Sequence, residues 1–127
     1  MRLFKTKWFV RYARRERLDA QSLRDAIARA ERGLVDADLG GGIIKQRVAR
    51  TGEGRSGGFR LLIAYRSGNR AVFLYGFAKS EQDNIGADEL ETLREIGAAW
   101  LEAKEERLEH AIKEGLLKEV SYEDKKR

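Results

Sequence analysis

Four basic residues fall where they could act together on one phosphate: Lys45, Arg47, Arg60 and Lys79. Lys45 and Arg47 alternate in Ile43-Ile44-Lys45-Gln46-Arg47-Val48-Ala49-Arg50, so both leave one face of an extended segment while Ile44 and Val48 leave the other. In the next extended segment Arg60 lies opposite Phe59, Leu61, Ile63 and Tyr65, beside Leu62 and Ala64, and Lys79 closes a third. Such a set suits in-line attack of an RNA 2′-hydroxyl on the adjacent phosphorus, where charge gathers on the equatorial oxygens. Arginines stabilise that charge and hold the backbone in attacking geometry. A lysine crowded by other cations loses its proton more readily, which makes Lys45 or Lys79 the base or acid; arginine stays charged. Tyr75 and Phe77 add flat rings for unstacked bases. Unaided, this site would be a poor nuclease, and it would gain from a scaffold that presents the RNA already bent.

Other chemistries are poorly supplied. Thr51 to Gly58 holds four glycines in eight residues and reads as a loop from which Arg55 arches over the patch. It lacks the lysine–serine/threonine ending of a P-loop and opens no helix. There is no cysteine and one histidine, His110, so neither disulfides nor a Cys/His metal site is expected, nor any cofactor. His110 sits in a charged helical stretch, unsuited to serine or cysteine triads and most simply a surface residue.

The net charge of +5 conceals segregation: residues 1–39 carry 10 basic and 6 acidic side chains, residues 40–80 carry 8 and 1, and residues 81–127 carry 8 and 14. A segment with Glu53 as its single carboxylate is the footprint of a polyanion partner. No run reaches the roughly 20 apolar residues of a membrane span, and the first 30 residues show no secretory h-region. A soluble, cytoplasmic protein is expected.

The elements that must position these residues follow from periodicity. Phe4, Trp8, Phe9 and Tyr12 suggest a short amphipathic helix whose aromatic stripe is core rather than a stacking platform. Asp19 caps a second helix with Leu23, Ile27 and Ala30 on its apolar face and Gly33 as its stop, completing a helical hairpin. Three antiparallel strands follow, the last two joined by the turn Ser67-Gly68-Asn69 and the third bearing Phe73, Tyr75 and Phe77. From Asp88 a helix runs to Gly115, striped by Leu90, Leu93, Ile96, Gly97, Trp100, Leu101, Leu108 and Ile112. At 1.5 Å per residue it would be about 40 Å long, more than the sheet can cover, so its last turns project or bend back. Its acidic side reads as a solvated face with pairs such as Glu91 and Arg94, or else as a docking surface. The expected fold is α+β: an N-terminal helical hairpin, an antiparallel sheet of three or four strands covered on one face, and a C-terminal helix. The domain spans 1–115, and the tail 116–127 adds a short strand near Val120 or is loose.

Leu39-Gly40-Gly41-Gly42-Ile43-Ile44-Lys45-Gln46-Arg47-Val48-Ala49-Arg50, then Gly54-Arg55-Ser56-Gly57-Gly58-Phe59-Arg60, then Phe73-Leu74-Tyr75-Gly76-Phe77-Ala78-Lys79-Ser80-Glu81 with Asn84-Ile85 resembles the RelE/HigB-type toxins of bacterial type II toxin–antitoxin systems. The resemblance covers about residues 1–115. It implies a microbial RNase-like α+β fold and a ribosome-dependent mRNA endoribonuclease that cuts the codon in the decoding site of the 70S ribosome. It also implies a cognate antitoxin, expected to be a helix-turn-helix protein. Carried over by position, the catalytic set is Lys45, Arg47, Arg60 and Lys79, and the RNA-binding set is Arg50, Arg55, Tyr75, Phe77 and Asn84. Ser80 stands where RelE has an arginine, and RelE's following tyrosine has no counterpart, so Lys79, Arg55, Tyr75 or Asn84 would compensate. The related ParE branch, which poisons DNA gyrase, lacks the basic set. A gyrase inhibitor and a non-catalytic nucleic-acid binding module are the competing readings.

Overall fold

A computed structural model describes residues 1–49, 58–82 and 84–121. Its elements are, in order, β1 (Arg2–Thr6), α1 (Lys7–Glu16), α2 (Ala20–Glu31), β2 (Ala37–Gly40), β3 (Ile43–Val48), β4 (Phe59–Arg66), β5 (Arg70–Ala78), α3 (Ala87–Glu102), α4 (Glu105–Glu114) and β6 (Leu117–Glu119). The strands form one six-stranded sheet in the order β2-β3-β4-β5-β1-β6. β1 runs parallel to β5; the other neighbours are antiparallel.

The α+β class stands, but the expected arrangement is overturned in three ways. The chain begins with a strand, not a helix; the sheet has six strands and mixed direction; and helices cover both of its faces. Phe4 belongs to β1, where Leu3 and Phe4 are both buried on opposite sides. A strand covered on both faces shows no apolar–polar alternation, so the aromatic spacing through Phe4 mimics a helix. Thr6 marks the true boundary. Its hydroxyl accepts from the Phe9 N–H (3.3 Å) as the N-cap of α1 and bonds the Phe73 carbonyl (3.3 Å), tying the helix start to β5.

α1 and α2 cover the face formed by Ile44, Val48, Phe59, Leu61, Ile63 and Phe73. Asp19 caps α2 by accepting from the Ser22 N–H (2.8 Å), and Gly33, at φ +83°, follows its end. α3 and α4 cover the other face, over Ile43, Leu62, Ala64, Val72 and Leu74. A Cβ at Gly97 would lie 3.0 Å from both Ala64 Cβ and Ile43 Cδ1, so this glycine lets α3 settle directly on β3 and β4.

The long C-terminal helix divides at Ala103, whose backbone is extended (φ −64°, ψ 141°). No glycine or proline causes the break. Arg70 Nη1 donates to the carbonyls of Trp100 (2.7 Å), Leu101 (3.1 Å) and Ala103 (2.8 Å), and Arg66 Nη1 also reaches Leu101 (3.0 Å). Arg70 Nη2 pairs with Glu105 (3.2 Å) in the first turn of α4. The β4–β5 hairpin thus satisfies the orphan carbonyls of α3, which has no basic residue in its own last turn. α4 ends at Gly115 (φ +80°), and β6 then pairs with β1, with Val120 N–H on the Leu3 carbonyl (2.8 Å). Among the described residues no helix is long and apolar enough to cross a membrane.

Candidate functional site

The β3–β4–β5 ladder sets the expected residues in two transverse rows. Lys45, Leu62 and Tyr75 are partners in one; Arg47, Arg60 and Phe77 are partners in the next. A register shift between Leu62 and Ile63 makes this possible, because it leaves Leu74 as an extra residue in β5. Phe73 packs under α1 while Leu74 and Tyr75 lie on the α3 side, so the three aromatics of β5 do not share one face. Lys79 lies one residue beyond β5 and extends the ladder through its N–H to the Gly58 carbonyl (3.0 Å). Asn84 is exposed in the segment before α3, where its side-chain oxygen accepts from the Ile85 N–H (2.9 Å). Arg50 and Arg55, with the rest of the glycine-rich stretch 51–57, lie outside the described residues.

The face is not the open, wet surface that a one-sided sheet would leave. α3 covers its middle, Arg60 is 8% exposed and Phe77 4% exposed. Lys45 and Tyr75 are half-buried, and Arg47 and Lys79 are exposed. Tyr75 stacks on Trp8 of α1 (centroids 4.7 Å apart, 28° between planes) and tilts against Phe77 (6.3 Å). Trp8 in turn stacks on Tyr12 (5.1 Å), whose ring lies where a Cβ at Gly76 would come within 2.6 Å of it. Phe9 and Tyr12 are core, as the aromatic stripe suggests, whereas Trp8 is 39% exposed.

Two arginines directly opposite across a ladder repel, and the segment before β2 brings a carboxylate to Arg47. Asp36, just before β2, accepts from the Arg47 backbone N–H (2.7 Å) and lies 3.7 Å from Arg47 Nε. Arg29 of α2 reaches the same carboxylate (3.6 Å) and donates to the Arg47 carbonyl (2.5 Å). Arg47 is therefore gripped at both backbone groups and at its guanidinium, and two cations share one anion. Sequence reasoning misses Asp36 and Arg29, since neither shares a segment or a period with Arg47. Among the described residues no cluster of His, Cys, Asp or Glu could hold a metal ion.

A protein-family model described as the RelE toxin of the RelE / RelB toxin-antitoxin system matches residues 1–120. The chain belongs to the RelE toxin family. As a RelE-family toxin it has a cognate antitoxin as partner. Searches of curated proteins and of solved structures find no significant match.

Proposed function

We propose that this RelE-family toxin is a ribosome-dependent mRNA endoribonuclease that arrests translation in the cytoplasm. The observation that carries the reading is the Arg47–Arg60 row. That row brings two arginines distant in sequence to neighbouring positions on one sheet face, next to the row that holds Lys45, so that their charges add toward one polyanion. In the proposed reaction the 2′-oxygen bonds to phosphorus and the P–O5′ bond breaks. One of Lys45 and Lys79, as the amine, takes the proton from the 2′-hydroxyl, and the other, as the ammonium, gives its proton to the departing 5′-oxygen. Arg47 and Arg60 neutralise the charge gathering on the phosphorus oxygens, and their fixed placement means that little reorganisation is needed at the moment of reaction. Tyr75, braced by Trp8, offers a ring edge to an unstacked base.

The test is induction in cells with primer extension on abundant transcripts. Cuts phased with codons are expected, and they should fall by at least about 10²-fold when Arg60 and Lys79 are both alanine. Arg47→Ala, at an exposed position, guards against misfolding of the buried Arg60 variant. Intact transcripts, or cuts that persist in all of these variants, would overturn the reading. Loss of DNA supercoiling with intact mRNA would replace it with gyrase inhibition. Salt-sensitive RNA binding without growth arrest would replace it with a binding module.

A further inference from the structure

Gln46 stands between Lys45 and Arg47 on β3, and its side chain is fully buried on the α2 side of the sheet. A buried amide is tolerated when its hydrogen bonds are met. Here Nε2 donates to the carbonyls of Ala26 in α2 (2.8 Å) and Leu34 (3.2 Å), and Oε1 accepts from the Asp36 N–H (2.8 Å). All three partners belong to α2 and the stretch after it, so Gln46 pins residues 34–36 against β3. The backbone of Asp36 is thereby fixed one residue before β2, and its carboxylate meets Arg47.

The β2–β3 ladder begins at Ala37 opposite Lys45 and stops short of Arg47. The Asp36 side chain takes the place of a strand partner, with Oδ2 accepting from the Arg47 N–H (2.7 Å). Its other oxygen, Oδ1, lies 3.7 Å from Arg47 Nε, beyond hydrogen-bond distance. The carboxylate therefore attracts the guanidinium without taking up its N–H groups, which suit a phosphate held by two parallel bonds. Arg29 completes the group: Nη1 lies 3.6 Å from Asp36 Oδ2, and Nη2 donates to the Arg47 carbonyl (2.5 Å). Its side chain is 15% exposed against 46% for Arg47. Of the two cations that share this anion, Arg47 is the one placed to turn toward an incoming charge.

We infer that Asp36 is a positioning residue for Arg47 and its resident counter-anion, holding the guanidinium in place in the RNA-free protein and yielding it to a phosphate. The positioning role rests on the ribonuclease reading; the counter-anion role requires only that a polyanion meets Arg47. When Arg47 turns to the phosphate, Asp36 keeps the Arg47 N–H and Arg29, so its charge is not left alone. The two roles act in opposite directions. The negative charge offsets part of the attraction for RNA and weakens binding, whereas the hold on Arg47 limits the orientations it explores and favours the reacting one. Asp36 thus lowers affinity and raises rate.

Asp36→Asn keeps an oxygen for the Arg47 N–H and removes the charge, so it separates the two roles. Binding of a fluorescent oligouridine is measured by anisotropy over a range of salt concentrations. Asp36→Asn should tighten binding by about threefold or more at low salt and steepen the slope of log K against log salt by about 0.7, the effect of one more single-strand phosphate contact. On programmed ribosomes its single-turnover cleavage at saturation should slow by about tenfold, while the toxin concentration giving half the maximal rate does not rise. A merely structural defect would weaken binding as well as rate. Asp36→Glu, with the charge on a longer arm, should restore the parent's salt slope and leave the rate low. In an Arg47→Ala background Asp36→Asn should change neither slope nor rate, because Asp36 acts through Arg47. Equal changes in the two backgrounds overturn the inference, and so does an Asp36→Asn protein that matches the parent or binds RNA more weakly. Absence of cleavage by the parent counts against the ribonuclease reading and the positioning role, while the salt slopes still decide the counter-anion. Cleavage that depends on Arg60 and Lys79 but is indifferent to Asp36 retires the positioning role alone.

Discussion

The face of the sheet under α3 carries arginines at both ends, and the two ends use them differently. At the β4–β5 hairpin, Arg66 and Arg70 are spent on the last carbonyls of α3, with Arg70 buried and also bonded to Glu105. At the opposite end, Arg47 and Arg60 oppose one another in the ladder, and Asp36 pairs with Arg47. Equal density of positive charge therefore has two meanings. Where a helix terminus supplies electron-rich oxygens, the cation holds that terminus; where the ladder sets Arg47 opposite Arg60, the proposed function gives the pair a polyanion to meet. The charge count over residues 40–80 does not separate these uses, because Arg66 and Arg70 contribute to it as much as Arg47 and Arg60 do.

Removing Arg70 should have the largest effect on folding. Arg70→Ala takes the charged donor from the Ala103 carbonyl and leaves the Trp100 and Leu101 carbonyls to the Ala103 N–H and to Arg66, which costs about 2 kcal/mol or more. Denaturant titration of the purified variant measures this, and a loss below about 1 kcal/mol would erase the distinction between the two ends. Arg47→Ala sharpens the contrast from the other side. Its side chain is 46% exposed and its ion pair weak, so stability should change by less than about 1 kcal/mol, while the proposed cleavage should fall by about 10²-fold. Parallel measurement of unfolding midpoint and cleavage rate reads both numbers.

The smallest expected effect concerns an ion network at the sheet's far edge, which belongs to the structural class. Arg2 bonds Glu119 (2.8 and 2.9 Å) and pairs with Glu105 and Glu109. The hydrogen bonds from Arg2 hold the Glu119 carboxyl below its ordinary 4.5. A carboxyl depressed on folding adds stability that is complete above the unfolded value and is lost as pH falls through the folded one. The unfolding midpoint should therefore drop as pH falls below about 4.5. Glu119→Gln should flatten that acid limb while leaving the proposed cleavage near neutral pH unchanged, and equal acid limbs for the two proteins would count against the network.

The layout of the candidate residues on the sheet was partly legible because it depends on local alternation. Lys45 and Arg47 against Ile44 and Val48, and Arg60 against Phe59 and Leu61, follow from a period of two, and the ladder then aligns them. Helix signals were equally local: Asp19 as a cap, Gly33 and Gly115 as stops. What escaped depends on contacts distant in sequence. β1 was hidden by burial on both faces, and β2 by its four-residue length, with Gly40 inside it. The division of the long helix is made by arginines some 30 residues earlier, and the shift at Leu62 that turns Tyr75 toward α3 has no motif of its own. The second layer of helices followed from these omissions, since a three-stranded sheet has no room for both.

β1 is sandwiched between β5 and β6, and both of its neighbours come later in the chain. The strand made first must wait for the strands made last, which gives the protein a long-range closure rather than a hairpin-by-hairpin assembly. A polypeptide cut short before Leu117 would leave one border of β1 bare, with free amides ready to recruit another molecule. Synthesis to the final strand is thus what seals this border against aggregation.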